Sequence, residues 1–320
     1  GIFVCLDGWS GEAAYISCKI GESMRLEWTG VMPAITTCFD ENLQIDHEFT
    51  ERHVKWLVEN GCTAIVTNGS LGEGGALSIT EKIALWKTVV AAVGDKVPVV
   101  AAIAAMTTAD ACAQAVEAAA AGCTGLMVLP PYVYRSDWRE TKYHITEVCK
   151  ATELSCMLYN NPVAYGTDFI PEQIAELAAE IPNLHAVKES STDVRRVTAI
   201  RALLDDKLTI LVGVDDCIVE GVNAGATGWI AGLVSAFPKE SVDLYKYAMN
   251  GEADKARVLY EWFLPLLRLD TVPKFVQLIK LVQEKVGMGS ARCRPPRMEL
   301  VGQELADTLK IIDKAIAERP

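Results

Sequence analysis

Residues 59–66 read ENGCTAIV, residues 120–128 read AAGCTGLMV and residues 223–231 read NAGATGWIA. Each stretch places a glycine where an amphipathic run stops, then passes within a few residues into an apolar run. A glycine just past a helix accepts the left-handed conformation that ends it. A short apolar run bounded by such signals reads as a buried strand. Three copies of one helix-to-strand join make a weak internal repeat, and extending it in both directions predicts the fold.

From about residue 30 the same beat holds. The strand candidates are GVMPAITT (30–37), TAIVT (63–67), VPVVAAI (97–103), GLMVLP (125–130), CMLYN (156–160), LHAVK (184–188), LTILVG (208–213) and GWIAG (228–232). Between them the spacing predicts helices near 46–60, 79–93, 107–121, 138–151, 171–181, 193–204 and 216–224. Ser78 with Glu81, and Thr107 with Asp110, set a capping oxygen three residues before a carboxylate, as in a capping box. Eight strands alternating with helices predict an α/β protein, a (β/α)8 TIM barrel. A doubly wound open sheet is the alternative, but no GxGxxG follows the first strand. Beyond residue 234 only helices follow, at 238–249, 253–270, 273–287 and 302–317. The expected organisation is an extension outside the fold at 1–23, a barrel at 24–233 and a helical C-terminal region packed on it at 234–320.

Composition narrows the partners. A formal net charge of −12 argues against nucleic acid, which demands a basic patch. The longest apolar run, VPVVAAIAAM, falls short of the ~20 residues that span a bilayer, and the first residues do not read as a secretory signal. Ten scattered cysteines without a CxxC pair fit free thiols in a reducing, cytoplasmic compartment. Four histidines at unrelated positions give no zinc spacing, so no metal is expected.

Active sites of such barrels lie at the C-terminal strand ends. There the sequence offers NGSLGEGG (68–75), YNNP (159–162) and AVKESST (186–192). Side chains alternate along a strand, so Leu184, Ala186 and Lys188 are expected on the barrel face and His185 and Val187 on the helix layer. The same count sets Ser155, Met157 and Tyr159 inward, with Tyr159 facing Lys188. A desolvated amine has the lowered pKa that a nucleophile needs, and a tyrosine beside it can carry protons. Lys188 could equally extend to solvent, and Tyr159 could fill the barrel top. NGSLGEGG reads either as backbone N–H groups converging on an anion or as an irregular loop. Glu189 is expected to point away from the amine, Asp215 and Asp216 to start a helix, and CRPPR (293–297) to be a solvated or interfacial basic turn.

Together GSLGE, YNNP and VKESS resemble the pyruvate-dependent class I aldolase family that includes dihydrodipicolinate synthase and N-acetylneuraminate lyase, over roughly residues 28 to 316. The resemblance implies a Schiff base on Lys188, a proton-shuttling Tyr159 and a relay hydroxyl at Ser70, which matches the first threonine of the family's GTTGE loop. It also implies substrate binding by the loop at Gly69 and Leu71 and by Ile230, a small-molecule carboxylate substrate, no cofactor and a homotetramer. Three departures stand out. Leu71 replaces the second threonine, Val133 aligns with the neighbouring subunit's tyrosine (one short of Tyr134), and Ala164 replaces the arginine that holds a second carboxylate. YEWFLPLLRLD, GWIAGLVSAFPKE and QLIKLVQEKVGMGSARCRPPR are similar to one branch, the Δ1-pyrroline-4-hydroxy-2-carboxylate deaminases, which implies 2-oxoglutarate semialdehyde and ammonia as products. A lyase or dehydratase of a 2-keto-3-deoxy sugar acid, a dihydrodipicolinate synthase-like aldolase and a catalytically silent binding barrel are the other expectations.

Overall fold

The computed structural model describes residues 25–131 and 134–320, so the expected extension at 1–23 lies outside the described residues. Eight parallel strands form one sheet: β1 (Gly30–Pro33), β2 (Ile65–Thr67), β3 (Val99–Ile103), β4 (Gly125–Val128), β5 (Ser155–Asn160), β6 (Leu184–Glu189), β7 (Thr209–Val212) and β8 (Gly228–Ala231). Their order is β1-β8-β7-β6-β5-β4-β3-β2, and a parallel bridge between Ala34 and Val66 brings β1 to β2. The strands therefore curl into a (β/α)8 barrel, with every predicted strand in place.

The helices are α1 (His47–Glu59), α2 (Ile79–Val93), α3 (Thr108–Ala120), α4 (Trp138–Lys150), α5 (Pro162–Tyr165), α6 (Pro171–Glu180), α7 (Arg195–Leu204), α8 (Ile218–Asn223), α9 (Pro238–Met249), α10 (Ala253–Leu267), α11 (Phe275–Lys285) and α12 (Gly302–Ala317). Ser78 and Glu81 form a reciprocal capping box on α2. Thr107 caps α3, but Asp110 bonds the Thr107 hydroxyl at 2.8 Å instead of the backbone, its side chain being one methylene shorter than glutamate. α9 packs on β1 and α8. Its Tyr245 hydroxyl donates to the Thr227 carbonyl at 2.7 Å and accepts from the Gly30 N–H at 3.2 Å. The ring of helices is thus completed by the first helix beyond residue 234. No helix among the described residues is long and apolar enough to cross a membrane.

Two apolar layers result. Inside the barrel, small Ala64, Ala102 and Ala186 interleave with Met32, Met127 and Met157, the large–small packing that fills a narrow cylinder. Outside it, Val187, Leu126, Leu158 and Trp229 meet the helices, each large side chain contributing roughly 1.5–3 kcal/mol by burial.

One face assignment is corrected. β5 and β6 shift register so that Cys156 pairs with Leu184 and Met157 with Ala186. The extra residue, His185, is a β-bulge, which breaks strict alternation. Leu184 consequently joins the outer layer with Val187, while His185 Nδ1 lies 2.7 Å from Ser155 Oγ, which also accepts the Trp28 indole N–H at 2.9 Å. Trp28 belongs to the interior layer, so His185 helps to floor the barrel instead of facing helices.

Candidate active site

Above the bulge, alternation holds. Ala186 and Lys188 point inward, and Lys188 pairs in register with Tyr159 on β5 and with Leu211 on β7. Lys188 is buried, with Nζ 3.9 Å from the centroid of the Tyr159 ring. Its stem runs over Gly213, where a Cβ would lie 2.7 Å from Lys188 Cγ and 1.9 Å from Ser190 Oγ. Burial lowers the lysine pKa, opposed by the charges of Tyr165, Asp270 and Asp215. The amine is thereby biased toward the neutral, nucleophilic form.

The Tyr159 hydroxyl is held by the Asn161 amide, which donates at 3.1 Å while its carbonyl oxygen caps α5 at Ala164 N. Burial pushes the phenol up to about 12, so it holds its proton until a reacting group demands it. Asn160, the other asparagine of YNNP, faces outward and ties Glu189 and Phe169 together. Glu189 therefore points away from the amine, as expected.

The α5 turn was absent from the sequence reading, and it carries a residue that reading missed. Tyr165 stacks edge-on against Tyr159, with centroids 5.7 Å apart, and makes a short hydrogen bond to Ser70 Oγ. Lys188, Tyr159, Tyr165 and Ser70 thus form a continuous set. Asn161 as cap, Pro162 at the first turn and left-handed Gly166 were the available signal. Tyr134, by contrast, is exposed, its phenol pushed up by Glu140 at the start of α4, and Val133 lies outside the described residues.

Ser70 sits in a loop whose shape requires its glycines. A Cβ on Gly74 would fall 2.0 Å from the Asn68 carbonyl oxygen, and one on Gly72 would fall 2.9 Å from that of Ile35. Asn68 and Glu73 adopt positive φ of 60° and 54°. Gly69 sits against Met127 and Ala102 of the barrel interior. The N–H groups of Ser70 and Leu71 donate to no other described residue, an arrangement suited to an anion. The Leu71 side chain packs into the outer layer, so only its backbone is placed to serve the site. Ile230 lies in the barrel interior.

The glutamate of GSLGE is a strut. Glu73 is fully buried and bonds Lys280 Nζ of α11 at 2.6 Å and the Arg294 N–H at 3.0 Å. Arg294 reaches the Leu43 and Ala76 carbonyls and forms a two-pronged pair with Glu81. CRPPR is therefore a clasp on the loop at Arg294, not a solvated turn, because these acceptors are fixed at the right spacing for a guanidinium.

Asp215 does open the turn before α8, but its carboxylate is buried and accepts from the Trp229 indole and the Gly232 and Leu233 N–H groups. Burial pushes it up to about 6. Gly213 and Asp270 were also missed. Counting from inward Leu211 would have placed Gly213 beside the lysine, whereas Asp270 enters from beyond the repeat and carried no signal. No three His, Cys, Asp or Glu side chains among the described residues are placed to hold a metal ion.

A match to the Dihydrodipicolinate synthetase family spans residues 27–315. The chain belongs to that family. It is 27% identical over 282 residues to the 4-hydroxy-tetrahydrodipicolinate synthase of Desulforamulus reducens, covering 88% of this chain and 95% of that one. It is 30% identical over 308 residues to a probable 5-dehydro-4-deoxyglucarate dehydratase of Pseudarthrobacter chlorophenolicus, covering 94% and 98%. Among solved structures, the 4-hydroxy-tetrahydrodipicolinate synthase of Methylacidiphilum fumariolicum superposes with a TM-score of 0.86 at 26% identity, covering 91% of this chain and 98% of that one. The family's enzymes are Schiff-base lysine lyases, and this chain is an enzyme of that type by membership.

Proposed function

We propose that Lys188 opens the cyclic imine Δ1-pyrroline-4-hydroxy-2-carboxylate, converting it with water to 2-oxoglutarate semialdehyde and ammonia. The observation that carries this reading is a buried amine of lowered pKa on the inner face, with one loop suited to an anion and the three hydroxyls of Tyr159, Tyr165 and Ser70 around it. The substrate carboxylate binds the Ser70 and Leu71 N–H groups. Lys188 attacks the imine carbon, and the ring nitrogen leaves as a primary amine, so the C–N bond broken is replaced by one formed to Nζ. The iminium acidifies the adjacent C–H. Tyr159, left as phenolate once it has protonated the departing ring nitrogen, takes that proton with Tyr165 and Ser70 as relay, and the neighbouring hydroxyl picks up a proton and departs as water. The remaining amine-bearing carbon tautomerises to an imine, and two waters hydrolyse it and the Schiff base. Ala164 is exposed at the position of the arginine that would hold a second carboxylate, which supports a substrate with one carboxylate.

Incubation with this substrate and borohydride should leave a mass adduct on the Lys188 peptide, and turnover should release one ammonia per substrate. No adduct with any 2-oxo acid or cyclic imine tried would sink the reading. A second reading, dehydration of a sugar diacid, is favoured by the likeness to the dehydratase and by Arg135, whose Nε lies 3.0 Å from the Cβ position of Gly166 beside the mouth. Water loss from such an acid, without ammonia from the imine, selects it. We also take the enzyme to be a cytoplasmic homotetramer. Its eight described cysteines are free, and light scattering reads the assembly.

A further inference from the structure

Asp270 ends a single 3-10 turn, Arg268–Asp270, that follows α10. Its carboxyl occupies the space above Gly232, where a Cβ would lie 2.3 Å from Oδ1 and 3.0 Å from Oδ2. Gly232 directly follows β8, two residues past inward-facing Ile230, at the C-terminal strand end where such a barrel opens. The placement agrees with the charges felt there, because Asp270 acts on both Lys188 and Tyr159. Gly232 separates two carboxyls of different kind. Asp215, on one side, is filled by three N–H groups from backbone and indole. Asp270, on the other, is half-buried and accepts no hydrogen bond from any described residue. A carboxyl open to the mouth and unclaimed by the protein is available to a substrate.

We propose that Asp270 is the catalytic acid that protonates the departing hydroxyl of the Schiff-base intermediate, an inference that rests on the reading above. Burial, and next the charge of Asp215, hold its pKa well above the carboxylate range, with Lys188 pulling it down and Asp216 adding to the rise. This favours the protonated form that the step needs. The electron balance is simple. After Tyr159 removes the C–H proton, the enamine electrons form the new carbon–carbon double bond. The carbon–oxygen bond breaks, and the hydroxyl leaves with the Asp270 proton as water. The step creates an Asp270 carboxylate and a Lys188 iminium together, so each newly formed charge meets its opposite. The water that enters to hydrolyse the Schiff base restores the proton before the next turnover.

The test separates leaving-group chemistry from Schiff-base chemistry. D270N, incubated to completion, should still trap pyruvate on Lys188, whatever change in rate the altered charge beside the amine brings. Its turnover of the hydroxy imine should fall by about 10²–10⁴, the usual size of general acid catalysis. Its turnover of the 4-fluoro analogue, followed as fluoride, should stay within about twofold of wild type, because fluoride departs without a proton. G232A, which displaces the carboxyl, should show the same pattern. Unchanged hydroxy-imine turnover, equal losses on both substrates, or a lost adduct would each overturn the assignment. Wild-type protein that releases neither ammonia nor fluoride overturns the deaminase reading itself, which is a distinguishable result.

Discussion

At the scale of single residues, the site depends on what is missing beside Lys188. Gly213 gives the lysine stem its channel, and a Cβ there would stand 2.7 Å from Cγ. Gly213→Ala should therefore retain the fold but slow adduct formation by about 10²-fold, the cost expected when a reacting atom moves by about 1 Å. An adduct rate within threefold of wild type would show that the stem is free to shift. Tyr165→Phe removes the hydroxyl that bridges the second ring to Ser70. Turnover is expected to drop by about 10², while the trapped adduct remains. Loss of the adduct as well would place Tyr165 in imine formation and not in proton transfer.

At the scale of elements, residue pattern and structure agree wherever periodicity governs. All eight strands and the long helices were legible because amphipathic spacing and glycine terminators repeat around the barrel. Lys188 and Tyr159 were legible from alternation. His185 was not, because a bulge shifts faces without any mark in residue type. Nor was Asp270, which reaches the mouth from a turn outside the repeat. The Glu73–Lys280 pair belongs to this scale too, since it pins the Ser70 loop to α11 through two side chains at most 1% exposed. Lys280→Met strands a buried carboxylate and should cost about 3–5 kcal/mol in urea unfolding. Pairing it with Glu73→Gln should recover a large part. A single variant as stable as wild type would mean that Arg294 alone carries the loop.

At the scale of the whole molecule, acid response is set by groups buried in uncharged or half-charged form. His53 of α1 lies wholly inside and donates to the Ser235 carbonyl at 2.8 Å; burial lowers its pKa to about 4 from 6.5. The unfolded chain therefore binds this proton more readily. His53 contributes fully above pH 6.5, and the contribution fades as pH falls toward 4, about 3 kcal/mol in all. Asp215 runs the other way, its stabilisation being present at low pH and lost as pH rises through about 6. The difference between wild type and His53→Gln isolates the histidine and should shrink by that amount from pH 7.5 to 4. A pH-independent gap would remove His53 from the account. The floor made by Trp28, Ser155 and His185 has a consequence of its own. With side chains filling the base, the mouth beside Ser70 and Tyr165 is the way in and out, so on the proposed reaction the oxo acid formed should obstruct refilling. Initial-rate kinetics should then show product competing with substrate; a noncompetitive pattern would reveal a second way in.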